Sequence, residues 1–169
     1  MPDVRPETGA DHEAVRHVHE RAFAPSVVEA SLVDELRAAG DLVPELCLVA
    51  EEGGHVLGHI AYSRARLESG HEVLALAPMA VLPQRQRGGI GSALVRESLA
   101  RAAATDFPLV VVLGHPGYYP RFGFEPGAAY GILDPYGVPP EAWMVHPLPA
   151  YLPDARGLVT YAEAFSLVG

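Results

Sequence analysis

Near the middle of the chain, Gln86-Arg87-Gly88-Gly89-Ile90-Gly91-Ser92 sets three glycines between two segments of different periodicity. Upstream, Val73 to Val81 is a dense apolar run that reads as a strand; downstream, Ala93, Leu94, Val95, Leu99 and Ala100 share one face of a helix. A strand that ends directly in a helix N-terminus points to an α/β arrangement. The first-turn amides of a helix have no intrahelical acceptor, and the helix dipole adds partial positive charge there. Glycines let a phosphate approach that backbone closely, and Arg85 and Arg87 add guanidinium forks that suit phosphate geometry. The plainer alternative is a tight turn in which the glycines serve geometry alone.

The chemistry of the chain narrows which anion this turn could take. All twelve basic residues are arginine. A Walker loop and a protein-kinase site both need a lysine, so neither is available. Glycines at 88, 89 and 91 also miss the Gly-x-Gly-x-x-Gly spacing of a dinucleotide fold. Against the twelve arginines stand 21 acidic residues, a formal charge of −9, which argues against general nucleic-acid binding. The single Cys47 cannot form an intramolecular disulfide, so a secreted disulfide scaffold is excluded and a reducing compartment expected. No signal-peptide core follows Met1, and no apolar run approaches the ~20 residues of a membrane span. The expectation is a cytoplasmic protein without a membrane partner, folded as one domain over residues 1–169.

Periodicity supplies the remaining elements. Val4 opens a short strand closed by Pro6. Asp11 is placed to cap a helix carrying Ala14, Val15, Val18 and Ala22, which Pro25 breaks. Ser26 can cap a second, with Val28, Leu32, Val33 and Leu36 on one stripe and Gly40 at its end. Leu46 to Ala50 and Val56 to Tyr62 form a hairpin about Glu51-Glu52-Gly53-Gly54. Leu109 to Leu113 is a continuous apolar strand, the pattern of burial on both faces. Two further strands lie near Ala142 to Leu148 and Gly157 to Ala162.

Two motifs carry a family resemblance. The Gln-x-x-Gly-x-Gly pattern of Gln86, Gly89 and Gly91 resembles the acetyl-coenzyme A pyrophosphate loop of the GCN5-related N-acetyltransferase (GNAT) family. Leu76-Ala77-Pro78-Met79-Ala80-Val81-Leu82-Pro83 looks like that family's fourth strand, with Pro78 where the family carries a bulge that proline tolerates. Tyr118-Tyr119-Pro120-Arg121-Phe122-Gly123-Phe124 resembles its Tyr-x-x-x-Gly-Phe motif, with Tyr119 at the tyrosine position. The longer string from Gly114 to Phe124, and the proline-rich strands after it, look like the YhbS-type branch. The resemblance implies a mixed, twisted sheet of about seven strands flanked by helices, an α/β (α+β) fold. Residues 1–130 would form the core with the cofactor loop, and residues 131–169 the C-terminal strands.

It also implies a function. Acetyl-coenzyme A would be the co-substrate and the amine of a small molecule or peptide the acceptor. Backbone amides of Met79, Ala80 and Val81 would hold the pantetheine arm and polarise the thioester carbonyl. Gln86, Arg87, Gly88, Gly89, Ile90, Gly91 and Ser92 would hold the pyrophosphate, and Tyr119 would protonate the departing thiolate as general acid. Read by burial alone, this aromatic segment could equally be a packing cluster, the role favoured for Tyr118, Phe122 and Phe124.

The resemblance also leaves gaps. The carboxylate that some relatives use as base falls here on Ala75, with Glu72 earlier on the strand. His115, beyond the fifth strand, is a base candidate, directly or through water. His17 and His19, two residues apart on a helix, do not face each other, and no His or Cys spacing fits a metal site. Phe23, Glu29 and Tyr62 are expected to wall the acceptor groove. A non-catalytic acyl-coenzyme A sensor is the rival reading, favoured by the missing carboxylate and opposed by the retained Tyr119. A monomer or a homodimer would satisfy either.

Overall fold

A computed structural model describes residues 1–167, so the last two positions of the expected 1–169 domain lie outside the described residues. In chain order the elements are β1 (Asp3–Pro6), α1 (His12–Ala22), α2 (Val28–Ala38), β2 (Leu48–Glu52), β3 (His55–Leu67), β4 (Glu72–Val81), α3 (Ile90–Ala102), β5 (Leu109–Leu113), β6 (Glu125–Pro126), β7 (Ile132–Leu133), β8 (Trp143–Pro147) and β9 (Gly157–Thr160). The strand neighbours run β1-β2-β3-β4-β5-β8-β6, with β9 joining β3 to β7. Among the described residues the sheet is mixed and has nine strands, against the seven or so expected from sequence. β6 and β7 are only two residues long, too short to produce an alternating pattern.

The chain forms two compact units. One comprises Met1–Ser63, Ala77–Arg101 and the chain from Glu163, the other Arg64–Leu76 and Ala102–Ala162. In the first unit β1 pairs antiparallel with β2, from Asp3↔Glu51 to Pro6↔Leu48, and β2 pairs antiparallel with β3. Gly53 and Gly54 both take positive φ, the requirement of the tight turn between β2 and β3. α3 packs onto β3 at Gly58. A Cβ there would stand 3.1 Å from Ile90 Cγ2 and 3.2 Å from both Leu94 Cδ1 and the Ala80 carbonyl. Farther along β3, the Tyr62 hydroxyl and Ser98 Oγ of α3 share a 2.8 Å hydrogen bond.

Ser26, expected to cap α2, stands one residue before the N-cap position, Val27; its Oγ accepts the Val28 amide and donates to Glu29 Oε1. Asp11 precedes α1 as expected, yet its carboxylate makes no bond to the helix amides. It binds the Arg5 guanidinium through both oxygens, at 2.8 and 3.0 Å, and accepts from the Thr8 amide.

A chain of ionisable groups runs through this unit. Arg37 Nη1 of α2 donates to Glu7 Oε1 at 2.8 Å, and Glu7 Oε2 lies 3.3 Å from His59 Nε2 of β3. His59 Nδ1 then lies 2.9 Å from His19 Nε2 of α1, and neither imidazole is exposed. Burial alone would raise the Glu7 carboxyl, but hydrogen bonds from His59 and Arg37 outweigh it and hold the group down at about 2. Burial, with His59 alongside, lowers His19 to about 3.

In the second unit β5 lies between β4, which it meets in parallel at Leu74↔Val110 and Ala75↔Val111, and β8, antiparallel from Leu109↔Pro147 to Leu113↔Trp143. β9 pairs antiparallel with β3 at Leu67↔Val159 and in parallel with β7 at Ile132↔Gly157. The core holds Leu67, Val73, Leu109, Val111, Ile132, Trp143 and Val145. Trp143 Nε1 donates to the Ile132 carbonyl at 2.9 Å, so the indole is buried with its polar atom satisfied.

Glu7 and His19 both have folded values below their ordinary ones: Glu7 adds stability that is lost as pH falls through the carboxylate range, and His19 costs stability once pH falls below the ordinary histidine value. Stability should fall as pH drops through the ordinary histidine range and keep falling to about pH 2. Glu7→Gln leaves Arg37 and His59 without their carboxylate. It should cost about 2–3 kcal/mol at pH 7, less than a fully buried pair because Arg37 reaches solvent. It should also flatten the loss below pH 5. Urea midpoints of both proteins between pH 3 and 8 check this, and a midpoint independent of pH contradicts it.

Candidate functional site

The glycine-rich segment belongs to the first unit. β4 ends at Val81, and the next amide, Leu82, donates to Leu57 of β3 at 2.9 Å. A single 3-10 turn, Pro83–Arg85, carries the chain onward. Gln86 Nε2 then reaches back to the Val81 carbonyl at 3.0 Å and clips the segment to the strand end. Arg87 takes φ 66°, a left-handed conformation that costs a residue with a Cβ on the order of 1 kcal/mol. Gly89 takes φ 89°, and its carbonyl accepts the Ala93 amide at 3.0 Å, which starts α3.

Burial sorts the segment into an inner anchor and an outer surface. Ile90 is buried, while Gln86, Arg87, Gly88 and Gly89 are exposed and Gly91 and Ser92 are partly so. Arg85, expected to add positive charge, is paired with Glu52 at 3.2 Å. Within β4, Ala80 is buried, and Met79 and Val81 are partly exposed.

Tyr119 belongs to the second unit. β5 ends at Leu113, and the turn that follows is held by His115, whose carbonyl accepts the Tyr118 and Tyr119 amides at 3.1 and 3.4 Å. Tyr119 opens a 3-10 turn, Tyr119–Phe122, which Gly123 ends in the left-handed conformation. The Tyr119 ring is 9% exposed and meets Tyr118 and Phe124 edge to face, at centroid distances of 5.1 and 5.4 Å. Burial, with Tyr118 beside it, pushes its hydroxyl up to about 12. Tyr118 packs against Phe122, and the Arg121 guanidinium lies over its ring at 4.9 Å, a packing role.

The remaining candidates fare differently. Tyr62 is fully buried and bonded to Ser98, so it is a core residue, a correction to its expected place on a groove wall. Its position next to apolar Ile60 and Ala61 in a strand buried on both faces is the reason. Phe23 is partly exposed and stacks on His19 with the ring planes 3° apart. Glu29 is partly exposed and accepts the Ser26 hydroxyl. His115 is exposed. Ala75 is buried in the core of the second unit, and Glu72 is exposed near Arg66, 3.9 Å away. Among the described residues no group of three or more His, Cys, Asp or Glu side chains could hold a metal ion. Sequence reasoning missed the contact between His19 and His59, which lie forty residues apart.

The match to known proteins covers nearly the whole chain. Residues 44–126 match the model of the acetyltransferase (GNAT) domain. The uncharacterized N-acetyltransferase YjhQ of Escherichia coli K12 is 38% identical over 91% of this chain and 88% of its own length. The uncharacterized N-acetyltransferase YhbS of the same strain is 32% identical over 96% of this chain and 98% of its own. The crystal structure of E. coli YhbS in complex with CoA superposes with a TM-score of 0.89, at 32% identity, covering 99% of this chain and 93% of that one. A GNAT family acetyltransferase from Brucella melitensis in complex with acetyl-CoA gives 0.80 at 38% identity, covering 98% of each chain. With a glycine-rich strand-to-helix turn, a tyrosine turn after β5 and relatives of this identity along its whole length, the chain belongs to the GNAT acetyltransferase family.

Proposed function

We propose that the protein transfers the acetyl group of acetyl-CoA to a primary amine of a small molecule or peptide. The observation that carries this reading is the Gln86–Ser92 segment, which opens α3 directly after β4 and keeps Gln86 to Gly89 exposed around a buried Ile90. The YhbS and Brucella relatives, solved with CoA and acetyl-CoA, support acetyl-CoA as the co-substrate. The first-turn amides of α3 and the Arg87 guanidinium take the pyrophosphate. The backbone of Met79, Ala80 and Val81 takes the pantetheine arm as a strand takes a neighbour, and its amides polarise the thioester carbonyl.

The neutral amine attacks that carbonyl carbon, a C–N bond forms, and the C–S bond breaks with its electron pair leaving on sulfur. The Tyr119 hydroxyl protonates the thiolate and is reprotonated from solvent. A phenol at about 12 stays protonated through the physiological range, as a general acid must. The attacking amine loses one proton. Ala75 offers no carboxylate for it, so the proton leaves to water or to His115, exposed on the loop that carries Tyr119.

Calorimetric titration should show one acetyl-CoA per chain, and no heat at millimolar ligand would remove the cofactor assignment. With a panel of primary amines, free thiol should be released only when an amine is present. Binding without release for any amine would favour a sensor.

Tyr119→Phe should lower turnover by about 10²-fold or more while leaving acetyl-CoA affinity within about twofold. Unchanged turnover, with chemistry rate-limiting, takes the hydroxyl out of the reaction. His115→Ala should lower turnover if His115 takes the proton, and an unchanged rate leaves water as the acceptor.

A further inference from the structure

Gly114 is the first residue after β5, and the Tyr119 ring lies directly against it. A Cβ built on Gly114 would stand 2.5 Å from Tyr119 Cε2 and 2.9 Å from Cδ2, closer than real Cβ atoms approach other heavy atoms. Both partners are held in place by further contacts. The Gly114 amide donates to the Ala142 carbonyl at 3.0 Å, just beyond the last β5–β8 pair, Leu113↔Trp143. The Tyr119 amide is held by the His115 carbonyl, and its ring is wedged between Tyr118 and Phe124. Phe124 is backed in turn by His146 of β8, at 5.4 Å between ring centroids.

We propose that Gly114 is a positioning residue for Tyr119: the missing side chain lets the ring edge close onto the end of β5 and so sets where the hydroxyl stands. Clearing a methyl group needs roughly 1 Å of ring movement, and the hydroxyl, at the far end of the ring, moves with it. Misplacing a reacting group by that much costs on the order of 10²-fold in rate. Backbone conformation does not explain the glycine, because Gly114 has a φ that other residues adopt freely. Gly117, three residues along the same loop, is an internal control: a Cβ there would meet nothing within 4 Å.

The proposal rests on the reading of Tyr119 as general acid, and the experiment separates the two. Gly114→Ala should lower kcat by on the order of 10- to 100-fold with acetyl-CoA affinity within about twofold. Gly117→Ala should leave both at wild-type values. In a Tyr119→Phe background Gly114→Ala should add no further loss, since no hydroxyl remains to misplace.

Carbon-13 NMR of labelled tyrosine, with Tyr119 assigned by its loss in Tyr119→Phe, reports the ring independently of turnover. The resonance should shift in Gly114→Ala and stay put in Gly117→Ala. An unmoved resonance, or an equal further loss in the Tyr119→Phe background, overturns the proposal. A displaced resonance alongside a Tyr119→Phe protein of wild-type rate upholds the positioning and overturns only the acid role. If Gly114→Ala alone is unstable, adding Phe124→Leu gives the ring space, and the resonance must then be displaced from its place in Phe124→Leu alone.

Discussion

The close approach of α3 to β3 at Gly58 organises the first unit. Leu94 and Ile90 reach the strand there because no Cβ intervenes, and each buried aliphatic side chain contributes roughly 1.5–3 kcal/mol. A helix seated this firmly has little freedom to slide. The Tyr62–Ser98 hydrogen bond adds a directional contact two turns farther along. Because Ile90 is both the first residue of α3 and one of these anchors, the packing that seats the helix also fixes where the exposed Gln86–Gly89 backbone begins. The Gln86 clip to Val81 holds the other end, and Arg87 keeps a left-handed conformation between the two constraints.

The same unit tolerates buried ionisable groups because each is matched to a neighbour. Glu7 would be costly to bury alone, and Arg37 and His59 offset that cost. His59 in turn leaves His19 a hydrogen-bonding partner, so two imidazoles occupy the interior among α1, α2 and β3 without exposed surface. This network ties together residues 7, 19, 37 and 59 by geometry that a hydrophobic contact would not specify. Directional bonds of this kind favour one arrangement of the helices over other packings of similar area.

Regular periodicity made α1, α2, α3 and strands β2 to β5 legible, because each sums many weak preferences along a continuous run. The glycine-rich turn and the Tyr119 segment were legible for a different reason: both are short, local and chemically demanding. What the sequence hid depends on contacts between distant positions. Along the helix the near histidine is His17, whereas the partner of His19 lies on β3. The family resemblance puts Tyr62 on a groove wall, and only the seat of α3 shows that Ser98 meets its hydroxyl inside the core. Asp11 has the chemistry of a cap, but Arg5 competes for its carboxylate with a bidentate bond stronger than a cap. Gly114 reads as an ordinary loop glycine until the Tyr119 ring is placed against it.

The charge balance takes on a different meaning once the arginines are located. A formal charge of −9 would oppose any highly anionic ligand if the positive charge were spread evenly. At least six arginines are committed to carboxylates, Arg5, Arg16, Arg37, Arg66, Arg85 and Arg101. Arg121 is turned onto the Tyr118 ring and the Gly117 carbonyl. Arg87 stands exposed in the glycine-rich segment, and among the described residues no carboxylate lies within ion-pair distance of it. A paired guanidinium must give up its partner to bind an anion, whereas an unpaired one loses only its water. An acidic protein can therefore offer an anion one place on its surface, where backbone amides and the exposed Arg87 meet, while the six paired arginines stay neutralised.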